Sequence, residues 1–241
     1  MSLIEFKNIK KIYYKREVLS NISFSIEEKE IFGIVGKSGG GKTTLLKVLI
    51  GMAKADDGSI LFEGRNALKK FDYLRKNTGF ASQENMLFDE LSTKENSIYF
   101  GKLYGMKKKD IKIRLGELLN FLGLVGYEDV LVSNLSGGMK KRANLLVSLI
   151  HSPKLLILDE PTIGLDPLLR KNLWLYIHRI NNDGTTILVT SHLLDEIEEN
   201  CTRIGILDCG KMIGVGTFKE YQDKLGKDKT FNTMFQEIMN R

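Results

Sequence analysis

Nine residues, GKSGGGKTT from Gly36 to Thr44, constrain this chain more than any other stretch. Gly36 to Thr43 fit the pattern G-x-x-x-x-G-K-[ST]. The stretch lies between a nearly continuous apolar run, EIFGIVG, and a helical pattern, TTLLKVLIG. A short apolar run ending in glycine suits a central parallel strand buried on both faces. Strand, glycine loop and helix in that order predict a phosphate-binding loop in an α/β core. Glycines let successive backbone N–H groups turn inward around an anion, and the helix N-terminus adds partial positive charge. Gly36, Lys37, Ser38, Gly39, Gly40, Gly41, Lys42, Thr43 and Thr44 are therefore candidate nucleotide contacts. Lys42 would reach the β- and γ-phosphates, and Thr43 would offer its hydroxyl to Mg²⁺.

The remainder of the chain fits around that loop. IEFKNIKKIYY and LSNISFSIEE alternate apolar and polar residues, as half-buried antiparallel strands do. Helical signals dominate from about Lys94 to Leu124, within a helical lobe expected to be inserted at roughly 84–150. Met139, Ala143, Leu146, Val147 and Ile150 form one apolar helix stripe, with Lys140, Lys141, Asn144 and Ser148 expected on the opposite face. KLLILDE reads as a second buried strand, ending in Asp159 and Glu160. Ligands in open α/β sheets bind at that strand edge. Asp159 would help hold Mg²⁺, and Glu160, ionised at neutral pH, would polarise an attacking water. TTILVTSH is a further strand, RIGILD and KMIGVG a short hairpin, and roughly 217–241 a helical ending.

The order and separation of GKSGGGKTT, LSGG (Leu135 to Gly138) and LILDEP resemble the ATP-binding subunit of ABC transporters, from about Ile4 to Gly216. The resemblance implies a single domain over 1–241: an α/β P-loop NTPase core with a mostly parallel sheet, an N-terminal antiparallel β subdomain and the helical insert. It implies that two copies pack head to tail, so that Ser136, Gly137 and Gly138 of one copy meet the ATP held by the other. Ser136 suits a helix cap, which leaves the glycine N–H groups free for an anion. By matching motif positions, Tyr13 resembles the aromatic under the adenine, with Tyr14 the alternative. Gln83 resembles the glutamine that contacts Mg²⁺ or the attacking water and couples to the membrane partner. Asp166 resembles the loop aspartate at the dimer interface, and His192 the histidine at the γ-phosphate. Three positions depart from the family pattern: Met139, the Glu28-Lys29-Glu30 turn, and Lys37-Ser38 within the loop.

The resemblance implies an ATPase, using ATP and Mg²⁺, that powers transport by a separate membrane permease. The ending GTFKEYQDKLGKDKTFNTMFQEIMN, with Phe235 in a small helix, resembles export-type subunits. No apolar run reaches the roughly 18 residues a spanning helix needs. The N-terminus MSLIEFKNIKK has no signal-peptide core, so the chain is expected in the cytoplasm, peripheral on the inner face of the cell membrane. Cys201 and Cys209, the two cysteines, read as reduced. The net charge of +6 and the run Lys107-Lys108-Lys109 suit a second reading, a soluble ABC ATPase acting on nucleic acid or the ribosome. The lack of long coiled coils and of a second ATPase unit speaks against it, and no direct nucleic-acid contact is expected. His151 and His178 match no motif and are expected at surface or satisfied helix positions, and Trp174 in helix packing.

Overall fold

A computed structural model describes every residue except Lys70, Asn85, Lys227, Asp228, Asn240 and Arg241. The chain divides into two compact units, Met1–Arg75 with Thr186–Arg241, and Lys76–Thr185.

The first unit opens with two 12-residue strands, β1 (Ser2–Tyr13) and β2 (Arg16–Glu27). They pair antiparallel, with Ile4 opposite Ile26, Phe6 opposite Phe24 and Ile9 opposite Ile22. Tyr14 and Lys15 join them with φ of 45° and 67°, the left-handed pair that matches the twist of a two-residue hairpin. β1 also pairs antiparallel with β4 (Asp57–Phe62), and β4 with the two-residue β5 (Arg65–Asn66). The alternation in the sequence thus reports a half-buried sheet of order β2-β1-β4-β5.

The same unit carries the run β10-β9-β3-β8. β3 (Ile31–Val35) is buried throughout and runs parallel to β8 (Thr186–Ser191) and to β9 (Arg203–Asp208). Burial of both its faces explains its unbroken apolar run. β10 (Lys211–Gly216) closes the expected hairpin with β9. The Glu28-Lys29-Glu30 turn is pinned from two sides. Lys29 N–H donates to Thr186 Oγ1 at 2.8 Å, and buried Glu30 pairs with Arg203 at 3.2 Å. Burial raises the Glu30 pKa, while the Glu27 N–H and Arg203 oppose that rise. Helices of this unit include α1 (Lys42–Leu49), α7 (Leu194–Asn200), α8 (Phe218–Leu225) and α9 (Phe231–Met239). Phe231, packed against Phe218 and Tyr221, anchors the helical ending, and Phe235 is buried beside it. Its last two residues, Asn240 and Arg241, lie outside the described residues.

The second unit pairs β6 (Thr78–Ala81) parallel to β7 (Leu155–Asp159). Its helices include α3 (Thr93–Leu103), α4 (Lys108–Phe121), α5 (Gly137–Ser148) and α6 (Pro167–Asn182). The short α2 (Phe71–Lys76) runs into the start of this unit. The lysines 107–109 are exposed at the start of α4. Trp174 is buried on α6, with His178 beside it.

Two expectations are corrected. Asn144 and Ser148 do not face outward: both are buried on α5. The Asn144 amide finds the Ser82 carbonyl at 3.4 Å, and the Ser148 hydroxyl donates back to Leu145 at 2.7 Å. A helix covered on two sides buries short polar residues wherever backbone acceptors satisfy them. His151 sits half-buried in the turn just past α5 rather than in a helix. Its ring stacks on Tyr104 with centroids 3.6 Å apart, and Nε2 donates to the Thr78 carbonyl at 3.1 Å. Burial lowers its pKa to about 4.

Candidate nucleotide site

In the first unit the glycine loop leaves β3 and enters α1. At Gly36 a Cβ would lie 2.0 Å from the Leu207 carbonyl oxygen, so only glycine lets the loop pass that close. Gly41, the residue preceding α1, has φ 108°, a conformation side chains resist. Backbone bonds hold the loop's shape: Gly40 N–H to Lys37 O at 3.0 Å and Gly210 N–H to Gly40 O at 3.1 Å. No side chain caps α1 and no acidic residue sits in its first turn. Its partial positive charge is therefore offered to whatever lies in the loop. Lys42, buried, curls back so that Nζ donates to Gly36 O at 2.7 Å and Lys37 O at 3.3 Å. Thr43 is exposed on the first turn, and Thr44 is half-buried.

Beside the loop lies an open groove of about 560 Å³, lined by Lys37, Ser38, Gly39 and Gly40, by Arg16 to Val18 of β2, and by the β9–β10 turn. Tyr13 stands opposite Arg16 in register and is exposed, with Lys11 Nζ 4.8 Å from its ring centroid. Tyr14, at the apex of the hairpin, is fully exposed. His192 directly follows β8 and is exposed.

In the second unit, β7 delivers Asp159 and Glu160 to its C-terminal end, both buried. Glu160 has φ 50°. A non-glycine residue in that region is strained, and such strain persists only where the surroundings over-determine it. Asp166 caps α6 by accepting from Leu169 N–H at 3.0 Å, with Pro167 in the first turn. Gln83, exposed, follows β6 by two residues, and its carbonyl accepts from Lys141 Nζ at 2.8 Å.

Ser136 caps α5, its hydroxyl accepting from Met139 N–H at 3.3 Å. Gly137 is exposed, and nothing in this chain stands within 4 Å of the place a Cβ would take. Gly138 is half-buried against Leu169 of α6. Met139 is half-buried as well. The amide-bearing end of a 12-residue helix is thus presented outward. Sequence reasoning missed Lys141 and Asn144 as neighbours of the Gln83 loop. Contacts 58 and 62 residues apart in the chain leave no periodic trace.

The sequence profile of the ABC transporter family matches residues 19–163, a span holding the glycine loop, LSGG and the β7 carboxylates. The chain is a member of the ABC transporter family. Among curated relatives of this ABC protein is the linearmycin resistance ATP-binding protein LnrL of Bacillus subtilis. It is 37% identical over 94% of this chain and 73% of its own length. The Nod factor export ATP-binding protein I of Neorhizobium galegae is 38% identical over 88% of this chain and 61% of its own length. Among solved structures, an ATP-binding subunit of an ABC transporter superposes with a TM-score of 0.90 at 25% identity, covering 99% of this chain and all of that one. CbiO1 of Clostridium perfringens, part of the ABC transporter complex CbiONQ, superposes with a TM-score of 0.85 at 27% identity. That match covers 98% of this chain and 97% of CbiO1.

These likenesses make the chain an ATP-binding, ATP-hydrolysing subunit of an ABC transporter. They support that reading and not the nucleic-acid or ribosome alternative. Among the described residues no helix is long and apolar enough to cross a membrane.

Proposed function

We propose that this ABC ATPase powers export, and that two copies close head to tail over two molecules of Mg-ATP. Export is supported by relatives named for Nod factor export and linearmycin resistance. The observation that carries the dimer is the exposed N-terminus of α5 at Gly137, with its space for an anion supplied from outside the chain. In this reading Ser136, Gly137 and Gly138 bind the γ-phosphate held by the other copy, and Asp166 faces the same partner.

Within one copy, the loop from Gly36 to Thr44 binds the phosphates. Lys42 exchanges the two loop carbonyls for phosphate oxygens, which are stronger partners for an ammonium. Tyr13 stacks on the adenine through its uncovered face. The hydroxyl of Thr43, the carboxylate of Asp159 and the amide of Gln83 are oxygen donors of the kind Mg²⁺ takes. A Mg²⁺ held by these residues would supply positive charge against the negative charge that develops during phosphoryl transfer. Glu160 orients the attacking water and accepts its proton, and its strained backbone is the mark of a side chain aimed by its surroundings. His192 donates to the γ-phosphate. The pair sits on the cytoplasmic face of the membrane, bound there through its permease.

Glu160→Gln tests this reading. The variant should bind ATP normally, lose about a hundredfold or more in kcat, and run as an ATP-bound dimer in light scattering. A variant that turns over at the wild-type rate would show that Glu160 is not the base.

A further inference from the structure

Two side chains of α5 reach the loop that carries Gln83. Lys141 and Asn144 are three residues apart and so share a helix face. Asn144 Nδ2 lies 3.4 Å from the Ser82 carbonyl, and Lys141 Nζ lies 2.8 Å from the next one, Gln83. These carbonyls follow directly on β6, where strand pairing has ended and another donor must replace it. The setting leaves the Lys141 amine little choice. Its stem runs through an apolar crevice with Leu145, Leu158, Leu173 and Ile177. Burial there lowers its pKa, with no carboxylate acting to raise it. A lysine in such surroundings keeps its stem dry and sends its amine to the nearest polar exit. That exit is the Gln83 carbonyl. The space left in the crevice is about 10 Å³, and the amine leaves it at its exposed end to meet the Gln83 carbonyl.

We propose that Lys141 is a positioning residue for the reaction: with Asn144 it laces the Gln83 loop to the helix headed by Gly137 and Gly138. This rests on the reading of Gln83 and LSGG given above and adds a link between them. Gln83 serves the nucleotide of its own copy, and the α5 N-terminus that of the other. Lys141 lies one helical turn from Gly137, so a shift of α5 on meeting the second copy pulls directly on the Gln83 backbone. Closure at one nucleotide is thereby transmitted to the residue that prepares the other.

The test compares Lys141→Met, which keeps the stem and removes the amine, with Lys141→Arg, which restores a donor. Steady-state ATP hydrolysis, ATP affinity by calorimetry, and amide hydrogen exchange over residues 82–88 are measured on the full chain. Lys141→Met should lower kcat about tenfold with ATP affinity within twofold, raise exchange in 82–88, and leave exchange in the Gly36–Thr44 loop unchanged. Lys141→Arg should recover most of the loss. Added to Gln83→Ala, Lys141→Met should cost little more, because both act through one side chain. Unchanged exchange in 82–88 would overturn the lacing, as would full kcat in Lys141→Met while Gln83→Ala is impaired. Should Gln83→Ala itself turn over normally, the catalytic reading of Gln83 fails. Exchange then decides the lacing alone, with a rise supporting it and no rise overturning it.

Discussion

Lys42 shows how a single ammonium is kept ready for a ligand. It is buried, yet the neutral carbonyls of Gly36 and Lys37 solvate it from 2.7 and 3.3 Å. Carbonyls hold a charge less strongly than phosphate oxygens do, so in the proposed site ATP would take over the contact. Removing the ammonium should weaken ATP binding at least about tenfold, since a charge-assisted hydrogen bond contributes about 1.5–3 kcal/mol. Calorimetry of Lys42→Ala measures this directly. His151 makes a different residue-scale prediction. Its pKa is about 4 in the folded chain against an ordinary 6.5. Between those values the unfolded chain binds the extra proton and the folded chain refuses it. Stability is therefore complete above about pH 6.5 and declines as pH falls toward 4. The shift would amount to about 2.5 kcal/mol at pH 4.5. Urea midpoints at pH 7 and 4.5 should differ by less in His151→Phe, which keeps a ring against Tyr104 and has nothing to titrate.

At the scale of elements, α1 contrasts with the capped helices, though α4 and α7 also start without a side-chain cap. α3, α5, α6 and α8 are capped by Ser92, Ser136, Asp166 and Thr217. α1 starts after a left-handed glycine with no side-chain cap. A cap satisfies an N–H internally, whereas an uncapped start keeps it for a ligand. α5 combines both: Ser136 bonds the Met139 N–H while the end beyond Gly137 stays open. Ser136→Ala should therefore cost only the cap, about 1 kcal/mol and about 2–4 °C in Tm. Ser136→Arg adds bulk and charge at the opening. It should abolish the ATP-dependent dimer seen by light scattering while ATP binding to the single copy survives. An ATP-bound dimer of Ser136→Arg would count against the proposed interface.

For the whole molecule, the proposed sharing of each ATP between two copies makes turnover a property of the pair. Activity per molecule should fall on dilution through the dimer dissociation constant and recover on concentration. A rate independent of protein concentration would refute the shared site. Much of this protein could be read from its sequence, because the decisive features are local. The glycine loop, its helix, the alternation of β1 and β2 and the unbroken apolar runs of β3 and β7 depend on neighbours a few residues away. LSGG and the carboxylate pair are short patterns of the same kind. Tertiary structure alone decided which polar side chains turn inward. Asn144 and Ser148 look solvent-facing by helical period, and His151 looks peripheral. Asn144 and Ser148 are buried and His151 is half-buried, each with a distant or neighbouring carbonyl accepting its proton. The Glu30–Arg203 pair and the Lys141 contact with Gln83 likewise join residues far apart in the chain. Hydrogen bonds of that reach have no period, so no local pattern records them.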